Sequence, residues 1–205
     1  AFVGEYRPEH FLLKAENPLA IGPYDLGCHY MEHKVQQAEA MKGAKKRILE
    51  VAAQFAALTG REYGLFEAYR MEDAEIALVL IGSSAGTAKV TVDALRARGI
   101  PAGLVKIRVF RPFPAEELAQ TLKNVKALAI LDKAESFSAQ GGPLFAEVRA
   151  ALYDLEPRPR TVGYVYGLGG RDITPAHFAS VFARLEAIAA GGELGPVYSH
   201  LGQRG

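Results

Sequence analysis

Between Met31 and Leu58 the apolar residues Met31, Val35, Ala38, Met41, Ala44, Ile48, Val51, Phe55 and Leu58 recur at steps of three or four. Lys34, Glu39, Lys46, Arg47 and Glu50 fall between them. That is the helical period, so this stretch is a long amphipathic helix, and Gly60 closes it as the first non-helical residue. Its apolar stripe packs either on the domain that follows or on a partner. Upstream, Pro8, Pro18, Gly22 and Pro23 break the text from Ala1 to Tyr24, which predicts an extended arm rather than a regular element.

From Glu72 onward the texture changes to short apolar runs alternating with helical patterns. Ile76–Ile81 is continuously apolar, as in a strand covered on both faces. A helix from about Gly86 to Arg98 stops at Gly99, with Pro101 beyond it. In a second strand, Gly103–Phe110, Val105, Ile107 and Val109 alternate with Lys106 and Arg108. Pro114 reads as the first residue of a helix with Glu116 and Glu117 in its first turn, where the helix dipole favours them. Ala127–Leu131 is a third strand ending at Asp132, and Pro143 opens a helix through Leu152. Thr161–Tyr166 is a fourth strand. After the loop Gly167–Asp172, Thr174-Pro175 supplies an N-cap and a proline at the first position of a helix whose Phe178, Val181, Phe182, Leu185 and Ile188 share a face. Strands alternating with helices of this length predict an α/β fold, a three-layer α/β/α open and mostly parallel sheet preceded by the arm and helix. The expected organisation is 1–71 as arm and linker helix and 72–205 as the sheet domain.

Composition narrows the function classes. The 205 residues carry 24 Lys+Arg against 23 Asp+Glu, a net charge of +1, with no basic run, so neither nucleic acid nor an anionic membrane is an expected partner. The longest apolar runs fall well short of the about 18 to 20 residues of a membrane helix. One cysteine, Cys28, rules out an internal disulfide framework and cannot by itself ligate an iron–sulfur cluster, and a cytoplasmic setting is the default expectation. No signal-peptide pattern opens the chain, and a start at Ala1 reads as a processed product, a fragment or a chain whose true start was omitted.

In an open parallel sheet, ligands bind beyond the carboxyl ends of the strands. The segments there are Gly82–Thr87, Arg111–Pro114, Asp132–Gly142 and Gly167–Asp172. Gly82-Ser-Ser-Ala-Gly-Thr-Ala-Lys89 joins a strand to a helix, and small residues at a helix N-terminus admit an anion. It nevertheless departs from the phosphate-loop spacing, because Gly86 comes one position early and Thr87 and Ala88 precede Lys89. Capping of the helix by its own hydroxyls is the favoured reading. Arg111 either holds an anion or makes an ion pair, and Gly169, Gly170, Arg171 and Asp172 either form an anion nest or turn the chain. His29 and His33 stand one helical turn apart near Cys28, without the fuller ligand set of a closed metal site. Five scattered histidines specify no nucleophile and base.

Five segments in order carry a family likeness: Tyr69-Arg-Met-Glu-Asp-Ala-Glu-Ile-Ala77, Gly82–Lys89, Ile107-Arg-Val-Phe-Arg-Pro-Phe-Pro114, Leu131-Asp-Lys133 and Tyr166-Gly-Leu-Gly-Gly-Arg-Asp172. With Tyr30-Met-Glu32 and Arg61-Glu-Tyr-Gly-Leu65 they resemble the C-terminal part of the α subunit of pyruvate and related 2-oxoacid:ferredoxin oxidoreductases. The resemblance implies a transketolase C-terminal-like domain with its preceding linker. It also implies membership in a complex that decarboxylates a 2-oxoacid on thiamine diphosphate, passes electrons through iron–sulfur clusters to ferredoxin and transfers the acyl group to coenzyme A. The chain lacks the Gly-Asp-Gly start of the family's diphosphate–magnesium motif, so thiamine diphosphate, Mg and the clusters are expected in other domains or subunits. Expected partners are the remainder of the α subunit and subunits of the β, γ and δ type. No catalytic, cofactor or metal residue is expected here; Gly82, Ser83, Gly86, Thr87, Lys89, Arg108, Arg111, Glu135, Gly169, Gly170, Arg171 and Asp172 are candidates for interface or anion contacts. The alternative is an independent small-anion or nucleotide-binding module using Gly82–Lys89 and Gly167–Asp172.

Overall fold

A computed structural model describes residues 4–7, 14–19, 22, 24–137 and 140–204. Much of the expected arm therefore lies outside the described residues. By backbone contacts the chain divides into two units, Ala1–Ala40 and Met41–Gly205, with the division inside the long helix α1, Tyr30–Thr59.

The second unit is built on a six-stranded sheet. Its elements are β1 (Phe66–Tyr69), β2 (Ile76–Ile81), α2 (Ser84–Arg96), β3 (Ala102–Ile107), α3 (Ala115–Leu122), β4 (Ala127–Asp132), α4 (Pro143–Ala151), β5 (Arg160–Tyr166), α5 (Pro175–Ala189) and β6 (Tyr198–Leu201). The strand order is β1-β3-β2-β4-β5-β6. Every pairing is parallel except that of β1 with β3, so the sheet is mixed and mostly parallel.

The apolar runs of β2 and β4 are explained by cover on both faces. On one face Leu78, Leu80, Leu104, Tyr164 and Tyr166 pack against Val92 and Leu95 of α2 and Phe178, Phe182 and Leu185 of α5. On the other, Val79, Val105, Ile107, Leu128 and Ile130 meet Leu118 and Leu122 of α3 and Leu144, Phe145 and Val148 of α4. The expected three layers are present. Within this unit the C-terminal part of α1 offers a half-buried stripe, Ala44, Lys45, Ile48, Ala52, Phe55 and Ala56, and Lys45 Nζ lies 2.7 Å from Glu117 Oε1 of α3. No described residue of α1 is fully buried.

Several boundaries differ from expectation. The helix after β2 starts at Ser84, two residues before Gly86, and Pro114 is the N-cap of α3 rather than its first residue. Strand β3 ends at Ile107, because the amides of Arg108 and Val109 turn to the Leu65 carbonyl. Thr174 and Pro175 do stand at the N-cap and first position of α5, and the Thr174 N–H donates to His177 Nδ1 at 3.1 Å.

Candidate functional site: the strand-end loops

Leaving β2, the chain turns at Gly82, whose φ of +88° favours glycine, and enters α2. The expected hydroxyl capping is not made: Ser83 at the N-cap adopts helical dihedrals and forms no side-chain cap bond, and Ser84 is buried under the helix. A helical N-cap aims its hydroxyl away from the amides it would have to accept from. Gly86 is exposed and Thr87 half-buried.

Lys89 is not directed at this loop. Its ammonium donates to Glu67 Oε1 of β1 and lies 4.8 Å from the Tyr69 ring centroid. Arg108 Nη2 donates to the other oxygen of the same carboxylate at 2.8 Å. The Lys89 hydrogen bond, against the cost of burial, holds Glu67 below the ordinary carboxylate range. Lys89 and Arg108 are thus brought together, at the β1 edge.

Arg111 is also spent within the chain. Its guanidinium donates to Glu147 Oε1 at 2.5 Å and to the Phe110 carbonyl at 2.8 Å, and it stacks on the Phe110 ring at 4.3 Å. This fastens the loop after β3 to α4.

Asp132, last residue of β4, is buried and fills the N-terminus of α4. Its two oxygens accept the amides of Leu144 at 2.9 Å and Phe145 at 3.0 Å. Burial pushes its carboxyl up, and these two bonds oppose the rise. The positive end of α4 therefore already holds a carboxylate.

At the opposite sheet edge, Glu135 accepts His200 Nε2 at 2.7 Å and the Tyr198 hydroxyl at 3.0 Å. His200 first, then Tyr198, holds Glu135 below its ordinary range. Tyr198 is pushed up to about 12 by burial and then by Glu135. Gly167, Gly169 and Gly170 have φ of +67°, +65° and +78°, and the turn they make aims Arg171 Nη1 at the Gly202 carbonyl, 2.7 Å away. Arg171 and His200 line a small cavity of about 220 Å³ whose floor includes Tyr166 and Gly167. Asp172 is exposed and forms no ion pair among the described residues. Tyr198 and His200 were not among the sequence candidates; β6 carries no apolar period to announce it.

The candidates thus separate into three groups: Lys89 and Arg108 on Glu67, Arg111 on Glu147, and Glu135 and Arg171 beside β6. Among the described residues no three His, Cys, Asp or Glu side chains converge on a metal position, and His33 Nδ1 lies 2.5 Å from Asp25. The Tyr166 hydroxyl is buried, and burial pushes its ionisation up against the opposing effect of the Ser84 side chain.

Residues 74–178 match the family model described as pyruvate:ferredoxin oxidoreductase core domain II. The pyruvate synthase subunit PorA of Thermotoga maritima is 48% identical over 181 residues, covering 88% of this chain and 46% of that protein. PorA of Methanothermobacter thermautotrophicus is 42% identical over 186 residues, 91% of this chain and 47% of that protein. The ketoisovalerate oxidoreductase subunit VorA of Pyrococcus horikoshii is 38% identical over 194 residues, 94% of this chain and 49% of that protein. The chain spans about half the length of the curated relatives it matches.

Proposed function

The chain belongs to the pyruvate:ferredoxin oxidoreductase core domain II family, and from that premise we propose that it is an architectural part of a 2-oxoacid:ferredoxin oxidoreductase. Its task is to hold the neighbouring domains and subunits in register around a reaction centre they provide. The complex decarboxylates a 2-oxoacid, hands the acyl group to coenzyme A and passes electrons through iron–sulfur clusters to ferredoxin. Thiamine diphosphate supplies the carbanion chemistry in other domains.

One observation carries the reading: Lys89, Arg108 and Arg111 at the strand ends are paired with carboxylates of the chain itself. Lys89 and Arg108 share Glu67, Arg111 holds Glu147, and Arg171 holds a backbone carbonyl. The α4 N-terminus is filled by Asp132. A diphosphate with its divalent ion needs free cationic or amide donors and an acidic metal ligand set, and these residues do not fit that group. The paired charges fix loop shape, which is what a docking surface for neighbouring domains requires. The same engagements weigh against the alternative of an independent anion module on Gly82–Lys89 and Gly167–Asp172.

Reconstitution tests the proposal. Mixed with the remaining part of the α subunit and the β-, γ- and δ-type subunits, the chain restores 2-oxoacid-dependent reduction of ferredoxin, and alone it gives none. Turnover by the isolated chain would overturn the reading.

A further inference from the structure

A groove of about 1000 Å³ runs along α4 from Gly141 to Asp154, with the start of β5 and the segment leading into β6 as its other wall. Its lining includes none of the residues of the three strand-end groups. Its size matches an organic ligand of nucleotide dimensions.

The lining has a marked charge asymmetry. Arg149, Arg158 and Arg160 border the groove against a single carboxylate, Asp154. None of the three arginines pairs with a carboxylate among the described residues. Arg158 Nη1 donates to the Tyr153 carbonyl at 2.6 Å, and Arg160 Nη1 to the carbonyls of Ile188 and Gly192. Arg149 rests 5.2 Å from the Phe145 ring centroid and Arg158 5.4 Å from that of Tyr153. Each guanidinium has five N–H donors in a fixed fork, so most of the donors remain available. The stacked rings and carbonyls hold the arginine side chains in place, which lowers the entropy lost when an anion is bound. Between the cations the exposed wall is apolar, with Ala146, Ala150, Tyr153 and Val197.

We propose that this groove binds a small organic polyanion, a phosphate ester with a flat apolar part, through Arg149 and Arg158. The phosphate engages the guanidinium forks, and the apolar part lies against Tyr153 and Val197. This site goes beyond the architectural role, which requires no ligand on α4.

Calorimetric titration of the full chain with ADP, pyrophosphate and adenosine at low salt tests it. ADP is expected to bind, with pyrophosphate and adenosine each at least tenfold weaker. The Arg149→Gln/Arg158→Gln variant is expected to bind ADP at least tenfold more weakly while its thermal transition stays in place. Should that variant unfold, photolabelling of the unaltered chain with an azido-ADP decides the matter, with label expected between Gly141 and Thr161. No ADP binding, an unchanged affinity in the folded variant, equal affinity for pyrophosphate, or label confined to other segments would each overturn the proposal.

Discussion

Gly142 lies so close against Asp132 that a Cβ placed on it would stand 2.3 Å from the carboxylate carbon. The contact explains both residues together. Asp132 can reach the first amides of α4 only if the residue before that helix has no side chain, and the pair thereby fastens the end of β4 to the start of α4. Gly142→Ala is expected to cost about 1–3 kcal/mol through this collision. Gly82→Ala meets no atom within 4 Å and pays only for its φ of +88°, about 1 kcal/mol. Denaturant unfolding of both variants checks the ranking; equal losses would remove the steric account of Gly142.

The shared carboxylate of Glu67 makes stability depend on acid. Because the folded state holds its ionisation below the ordinary range, the contribution is complete above the ordinary glutamate pKa near 4.5 and is lost as pH falls through the lower folded value. At neutral pH Glu67→Gln is expected to lose about 1–2 kcal/mol, leaving Lys89 and Arg108 without their partner. Chemical denaturation of the two proteins from pH 7 to pH 3 should show the gap closing toward acid. A gap of constant size would contradict the pairing.

Tyr198 supplies a spectroscopic check on the β6 edge. Its hydroxyl is expected to ionise at about 12, above the ordinary tyrosine value near 10. With the folded value raised, its contribution to stability is full below about pH 10 and declines as pH rises toward 12. In Glu135→Gln the ultraviolet titration of Tyr198 moves downward, since the acceptor charge is gone. A titration unmoved by that change would leave burial as its only cause.

Much of the central architecture is readable along the chain because β2 and β4 are covered on both faces, and continuous apolar runs report that cover directly. Thr174-Pro175 is legible for a local reason, since a cap and a proline act within one turn. The edge strands are different. Phe66–Tyr69 and Tyr198–Leu201 are four residues each and mostly half-buried, so they carry too short and too weak a pattern, and their existence depends on partners far away in sequence. Charge partners are illegible for the same reason. Lys89 stands beside small residues that invite an anion, yet its acceptor, Glu67, lies 22 positions upstream on a strand without a pattern. Glu135 and His200 are 65 positions apart. The glycines and cations of the strand ends were identifiable by position, but what satisfies them is a property of the packed sheet.

A supporting part of a larger assembly must enter that assembly in fixed proportion. Native mass spectrometry after co-expression with the remaining part of the α subunit and the β-, γ- and δ-type subunits measures this directly. The predicted result is a hetero-oligomer containing this chain in fixed stoichiometry. A free chain in the presence of a complex assembled without it would contradict the central claim.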